Sequence, residues 1–550
     1  MWQPFSGSPE TSYRRPNLIP IHERRPPFYQ LTMIVSSETP QQHGRFELAL
    51  LLCALAVYGA AFIVRTSFVV DGIRYFSLQD DGMVSMRYAK NLAAGYGLVW
   101  NPGGPRVQGY TNPLWVGLMA AVHILPIPAS KISLAVQIVA LACVLITVSI
   151  VRRLASVTSG RGHEWWPAVI MTATYLPLNE WSLQGSEVAL LTPLIAGAVL
   201  AVQTARTRGT WSIVPYVLLA TAVLVRLDMA VPFAVLLAFM VWHDTTRRAH
   251  HLAVGGGLLV GAVIAQLGFS WWYFGDPLPN TYYLKMTGYP LLPRLARGAW
   301  VMGRFLLLMS PGVALVALTL WRDRSDNTRL PAAIILGQIA YSVWVGGDAW
   351  EFWGGSNRYV TVAMPLFFVL AGRGFLELVA MTASRSKGAL RRRIVECATL
   401  AALVIVFNET RGKTALREWL LLDRPMEVES NEQMVALAVR LKEVTSPSAK
   451  VAVTWAGALP YFSERPAIDL LGKTDPVIAH ESMHYRGGLD FLPGHLKWDY
   501  AYSIGTLDPD VVVQLWTDEE AAVPLLSADY EPRQIGQWIV FTRKHSSRIY

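Results

Sequence analysis

The residues with the most chemistry to offer are two adjacent carboxylates, Asp80 and Asp81. They sit in the polar stretch Leu78-Gln-Asp-Asp-Gly-Met-Val-Ser-Met-Arg-Tyr-Ala-Lys-Asn-Leu92, just after the first long apolar run. A carboxylate at a membrane surface can deprotonate an acceptor hydroxyl, attack an anomeric carbon or ligate a metal. The helix expected over Met83 to Leu92 places the pair near its N-terminus, where the helix dipole favours the ionised form. Taken alone, the pair reads equally as a cap on that helix. Lys285 and Arg358 suit the opposite role, as a point charge and a bidentate fork for a lipid-linked phosphate or pyrophosphate. Snorkelling to headgroups is the competing reading of both. Arg226 with Asp228 is either an ion pair at a helix end or a functional charge facing a bundle cavity. His484, and His495 with Lys497 and Asp499, lie in the C-terminal part, where a lone histidine is more often a packing residue. The sequence has no Walker lysine loop, no Gly-x-Ser-x-Gly elbow and no His-Glu-x-x-His, so ATP-driven transport, serine hydrolysis and zinc proteolysis are unsupported.

The elements that must position these residues follow from composition. With 53% hydrophobic and 16% charged residues over 550, the chain is too apolar for an ordinary soluble protein and reads as a polytopic α-helical membrane protein. The net charge of +9 is spread as short Lys/Arg clusters between apolar runs, the positive-inside pattern of membrane topology, which argues against nucleic-acid binding. Cys53, Cys143 and Cys397 lie inside apolar runs without Cys-x-x-Cys spacing, so no disulfide framework or zinc site is implied. Trp165, Trp166, Trp271, Trp272 and Trp353 lie near run ends, as interfacial belts do.

Residues 1–45, with Arg14, Arg15, Arg24, Arg25 and Arg45 among prolines, read as a disordered cytoplasmic tail, and no cleavable signal is evident. The run 47–70 is the first expected span, and it delivers Asp80 and Asp81 to the outer side. The run from Pro113 to Pro128 is short for a span of about 20 residues and is taken as interfacial or re-entrant. With the second span at 131–151, Arg152 and Arg153 fall inside, and so do Arg161, Arg206, Arg208, Arg247, Arg248, Arg322, Arg324, Arg329, Arg385, Lys387 and Arg391 to Arg393. Further spans are expected at 165–179, 187–204, 211–227, 230–243, 252–273, 297–320, 330–346, 359–381 and 394–408, giving about eleven helices over a 46–408 membrane domain. The outer loops then gather the unusual polar residues, including Asn179, Glu180, Gln184, Glu187, Arg226, Asp228 and the stretch Gly346 to Tyr359. Residues 409–550 turn soluble, with a helix over 431–444 and strands near 450–454, 466–471, 511–515 and 538–541, and read as an outer-face α/β domain.

Asp80-Asp81 with Arg87-Tyr88-Ala89 and Asn91-Leu92, followed by Gly97-Leu-Val-Trp-Asn-Pro102 and Gly109-Tyr-Thr-Asn-Pro-Leu-Trp115, resembles the first outer loop of GT-C glycosyltransferases. More narrowly, it is similar to the terminal arabinofuranosyltransferase (AftB-like) family of mycobacterial cell-wall synthesis. Further matches are Gly275-Asp-Pro-Leu-Pro-Asn-Thr281 with Lys285, Gly346-Gly-Asp348 with Arg358-Tyr359, Asp469-Leu-Leu-Gly-Lys-Thr-Asp475, and Gly494-His-Leu-Lys497. The similarity runs from about residue 47 to the C-terminus. It implies a multi-pass enzyme of the bacterial cytoplasmic membrane, active on the outer face. The implied donor is a polyprenyl-phosphate sugar, foremost decaprenyl-phospho-arabinofuranose, and the implied acceptor a cell-envelope glycan such as arabinan. Relatives with the same loop use other sugars or glycosylate protein.

The resemblance carries the catalytic carboxylate onto Asp80 or Asp81 and interfacial helices onto the segment after them. It carries donor-phosphate binding onto Lys285, Arg358 and Arg226, and substrate contacts onto Arg87, Tyr88, Tyr110, Asn112, Glu187, Asn280, Asp348, His495 and Lys497. Gly82 stands where relatives often carry a larger residue. Beyond the lipid-phosphate donor no cofactor is required; two aspartates also suit a divalent metal, which the chemistry does not demand. Nothing sets the oligomeric state. The non-enzyme alternative is a lipid-linked sugar flippase, which predicts paired broken helices in two repeated halves; no such repeat stands out. A third reading makes residues 409–550 a glycan- or protein-binding scaffold.

Overall fold

Apolar runs form helices where the backbone must satisfy its own hydrogen bonds, and the computed structural model shows how far each run carries its helix. It describes residues 40–159, 164–349, 351, 356–383, 388–409, 413–485 and 491–550. The expected tail up to residue 39, and Arg161, Trp353, Arg385 and Lys387, lie outside the described residues. Residues 47–550 form one compact unit.

Among the described residues, five helices are long and apolar enough to cross a membrane: Phe46–Arg65, Ala129–Thr158, Val188–Thr207, Thr245–Phe274 and Met364–Met381. A sixth is possible if the pair Leu291–Leu308 and Ser310–Arg322, bent by 82°, is one span. Among the described residues, not all of the about eleven expected helices pass that length-and-composition test, and where an expected run is broken the break has a local cause. Helix α1 (Pro40–Arg65) ends before 70, because Ser67–Val70 and Ile73–Phe76 pair as strands β1 and β2 around the Asp71-Gly72 turn, a strong hairpin signal. The run 165–179 splits into Trp166–Ala173 and Leu176–Leu183, each eight residues and each opened by a proline in its first turn. The runs 211–227 and 230–243 give helices of 12 and 14 residues, broken by a 3-10 turn at Leu227–Met229. The run 297–320 bends after Met309, where Pro311 opens the second helix. Asp326–Trp344 and Ala389–Asn408 are continuous helices of 19 and 20 residues, but neither is among the five.

The interfacial expectation for 113–128 matches an 11-residue helix, Pro113–His123, labelled α3. Before it lies α2 (Asp80–Ala93), which starts at the aspartates, three residues earlier than the sequence indicated. Nine residues of α2 are buried, and it packs on α3 and on the short helix Ala458–Ser463. Gly82 has an ordinary helical backbone in α2, which passes close to Leu78 and to the carbonyls of Gln184 and Gly185. Behind α3 runs α4 (Ala129–Ser159), packed against Val188–Thr207 and Met364–Ala383.

The C-terminal residues build a five-stranded mixed sheet. Its strands are β3 (Val451–Val453), β4 (Ala467–Asp469), β5 (Val511–Val512), β6 (Tyr530–Ile535) and β7 (Trp538–Arg543), in the order β4-β3-β5-β7-β6. β3 runs parallel to β4 and β5, whereas β7 is antiparallel to β5 and β6. The sequence reading found four of these strands and missed β6, whose alternation is interrupted by Pro532. Helix Val428–Val444 packs on β1, on β6 and on Ala458–Ser463.

Candidate active site

Asp80 and Asp81 occupy the first turn of α2, where the helix N-terminus favours negative charge. Their side chains diverge in role. Asp81 keeps 37% of its side chain open, and that opening faces a cavity of about 380 Å³; Asp80 is 19% open and does not line the cavity. Lys473 Nζ donates to Asp81 Oδ1 at 2.7 Å and to Asp80 Oδ2 at 3.2 Å. Arg358 donates to the other oxygen of Asp81 at 2.9 Å, while its remaining edge holds the fully buried Asp348 at 2.7 and 3.1 Å.

The two acids titrate in opposite directions. Burial pushes the Asp81 carboxyl up, but Lys473, Arg358 and Lys285 more than offset it and hold the group well below the usual carboxylate range. Burial likewise raises Asp80, and there Lys473 and the Gly457 N–H do not overcome it, so Asp80 lies above its ordinary value. Asp81 is thus the ionised carboxylate facing the cavity.

Asp348 is carried by Gly346-Gly347, both at φ 83°, a left-handed turn that glycine adopts without strain. Arg297 donates to Asp348 O at 3.1 Å, and Glu351 accepts from Asn357 Nδ2 at 3.0 and 3.2 Å and from the Asp348 N–H. Burial, with Asp348 beside it, pushes the Glu351 carboxyl up to about 7. Arg358 is therefore held by an acid that is itself locked in place.

Lys285 lies near the end of the short helix Asn280–Met286 and lines the cavity. Its ammonium has no hydrogen bond or ion pair among the described residues. Burial and the neighbouring Arg358 lower it to about 8, despite the pull of Asp348 and Asp81. A smaller recess of about 20 Å³ lies beside it, lined by Asp81, Lys285, Arg358, Lys473 and His495. Burial, then Lys473, lowers the His495 imidazole to about 3, so it stays neutral.

Of the other expected site residues, Glu187, Arg226, Tyr110 and Asn112 line the main cavity. Arg226 is fully engaged by acids: it donates to Glu187 at 2.7 Å and to both oxygens of Asp228, one at 2.7 Å. Arg226 is thus an ion pair that also forms part of the cavity wall. Asn112 donates to Glu187 Oε2 at 3.0 Å and accepts from Ser85 at 3.0 Å, tying α2 to this cluster.

Arg87, Tyr88, Asn280 and Lys497 do not reach the cavity wall. Arg87 spends its donors on the Trp100, Pro460 and Arg465 carbonyls and on Asn101 Oδ1. Tyr88 donates to Val107 O at 2.7 Å and accepts from Gly109 N at 3.2 Å. Asn280 is buried, its N–H bonded to Gln108 O at 3.0 Å. Lys497 donates to Tyr283 O, Thr287 Oγ1 and Ala479 O at 3.1, 3.2 and 2.8 Å, clamping the Lys285 helix to the C-terminal part. These four hold the walls together, and none contacts the cavity. Sequence reasoning missed Lys473 as a site residue, although Asp469 to Asp475 was singled out as a motif; it also missed Glu351, which lies inside the singled-out stretch Gly346 to Tyr359, and Glu427, which no motif marked.

Residues 424–550 match the family model described as a domain of unknown function, DUF8728. No curated protein matches the chain in sequence. The fold is similar to that of ArnT from Cupriavidus metallidurans bound to undecaprenyl phosphate, with a TM-score of 0.56, 11% identity, and coverage of 91% of this chain and 99% of that one. It is also similar to the archaeal oligosaccharyltransferase AglB from Archaeoglobus fulgidus in complex with an inhibitory peptide and a dolichol-phosphate, with a TM-score of 0.55, 10% identity, and coverage of 91% and 75%. At these identities the likeness is one of fold: over about nine-tenths of its length this chain is folded like those two solved structures.

Proposed function

We propose that the protein transfers a sugar from a polyprenyl-phosphate donor to an acceptor hydroxyl on the outer face of the bacterial cytoplasmic membrane. The observation that carries this is the shared cavity: an ionised Asp81 meets Arg358 and the unpaired Lys285, while Val84, Leu227, Val231, Leu267 and Leu278 make the wall apolar. A lipid phosphate needs both halves of that surface, cations for its head and apolar area for its chain. The resemblance of the first loop favours arabinofuranose as the sugar and arabinan as the acceptor, with transfer of another sugar or to protein as the alternative.

Lys285 takes the phosphate as a point charge, and Arg358 turns its cavity-facing edge toward it. That exchange also activates the base. In the resting site Asp81 is too stabilised by cations to accept a proton well, because a general base works best with a pKa near the working pH. A phosphate that draws on Arg358 and Lys285 weakens their hold on Asp81 and brings a second anion close, so the carboxylate becomes basic once the donor is bound. Asp81 then accepts the acceptor hydroxyl proton, and the neutralised phosphate leaves without a separate general acid. Glu187, Asn112 and the Arg226 ion pair form part of the cavity wall.

The test is transfer from radiolabelled polyprenyl-phospho-arabinofuranose to an arabinan acceptor by membranes holding the protein, with product linkage analysis. Parallel arms with other polyprenyl-phosphate sugars and a peptide acceptor set the specificity. Labelled product with arabinofuranose alone supports the full reading; product only with another donor or acceptor removes the arabinan assignment. Lipid movement without transfer in any arm moves the protein to the flippase class.

A further inference from the structure

The aspartates are gripped from outside the membrane helices. Three groups from residues 424–550 close on them: Glu427 Oε2 accepts the Asp80 N–H at 3.1 Å, the Gly457 N–H donates to Asp80 Oδ1 at 2.9 Å, and Lys473 Nζ bridges both carboxylates. The approach is close enough that a Cβ on residue 457 would lie 2.5 Å from Asp80 O and 2.6 Å from Asp80 Oδ1, so only glycine fits. Two carboxylates converging on one point is the usual way for oxygen ligands to hold a divalent cation. Here that point carries an ammonium.

The remaining oxygens leave no room for a metal. Asp81 Oδ2 is taken by Arg358 and Asp80 Oδ1 by Gly457, so all four oxygens of the pair are engaged. Among the described residues there is no group of three His, Cys, Asp or Glu side chains that suits a metal. Charge makes the same point: Asp80, Asp81 and Asp348 face Lys473, Arg358 and Lys285, three against three. A divalent cation added to this balanced set meets two ammonium groups and a guanidinium. The residues present do not fit a divalent ion.

We infer that Lys473 stands where a divalent cation would otherwise sit between Asp80 and Asp81, positioning and neutralising the pair so that the site works without a metal. The inference rests on the reading of Asp81 as the reacting carboxylate. Lys473 acts through the aspartates and is therefore a positioning residue. The segment that carries it is part of the active site.

The direct experiment is titration of the purified full-length protein with Mn²⁺, followed by electron paramagnetic resonance. Wild type is expected to show no saturable site up to about 1 mM, the weak end of extracellular divalent sites. Lys473→Ala is expected to gain one, which Asp81→Asn in that background removes. In the transfer assay, Lys473→Ala loses about 100-fold or more, and the acid limb of its pH profile moves upward because Asp81 has lost a cation. Added Mn²⁺ restores part of the rate, Lys473→Arg keeps more of it than Lys473→Ala, and chelators leave wild type unchanged. A saturable Mn²⁺ site in wild type that Asp81→Asn abolishes overturns the inference, as does wild-type transfer that stops with a chelator and returns with a divalent ion. Absence of transfer in wild type with every donor overturns the transferase reading, while the titration still decides the role of Lys473. Should Lys473→Ala not fold, the wild-type titration and Lys473→Arg decide it.

Discussion

Asp80 and Asp81 are neighbours of one type, and their surroundings make them different groups. Asp81 opens into the cavity and is held ionised, whereas Asp80 is turned to Gly457 and raised by burial. Asp81→Asn is therefore expected to lower transfer about 100-fold or more with the fold intact, and Asp80→Asn to cost less; initial rates on protein of unchanged melting temperature measure both. Lys285 gives a pH dependence with a definite sign. Its ammonium, lowered to about 8, is charged below that pH and neutral above it. Donor KM is expected to rise as pH passes about 8, with a flat, high KM in Lys285→Met and a limb displaced to higher pH in Lys285→Arg. The aspartates, Lys285 and Arg358 were legible in the sequence, because charges next to apolar runs stand out. Lys473 was not, because its partners lie nearly 400 positions away and spacing says nothing about such contacts.

The short helices around the cavity are placed by side chains that never touch it. Lys497 reaches three acceptors on two elements and clamps Asn280–Met286 against Pro476–His480. Lys497→Met leaves the buried Ala479 carbonyl without its donor, a loss on the order of 1–3 kcal/mol, and loosens the helix that aims Lys285. A lower melting temperature together with a raised donor KM and a nearly unchanged kcat is expected from thermal scans and steady-state kinetics. Read as a substrate contact from its motif, Lys497 is a clamp, since a motif records that a residue is fixed without saying what fixes it. Element boundaries failed in the sequence for a related reason. Prolines 167, 177 and 311 and the Asp71-Gly72 turn break runs whose hydropathy alone is continuous.

At the scale of the molecule, residues 47–550 are one unit, and the aspartates lie where the C-terminal part meets α2. Glu427 reports on that junction. Burial, with Asp80 beside it, raises its carboxyl from 4.5 to about 8, so the folded form keeps a proton that the unfolded chain releases. Its contribution to stability is complete below about 4.5 and is lost as pH rises through about 8. Melting temperature followed from pH 6 to 9 is expected to fall more steeply in wild type than in Glu427→Gln, which cannot ionise. The apolar helical class and four of the five C-terminal strands were legible from composition and alternation; the strand order and the meeting of the C-terminal part with α2 at the site were not. The central claim is that Asp81 and Lys285 serve one lipid-phosphate donor, and transfer from radiolabelled polyprenyl-phospho-arabinofuranose by wild type, Asp81→Asn and Lys285→Met tests it most directly. The account predicts product from wild type, almost none from Asp81→Asn at saturating donor, and recovery of Lys285→Met as donor rises; full activity in both variants would contradict it.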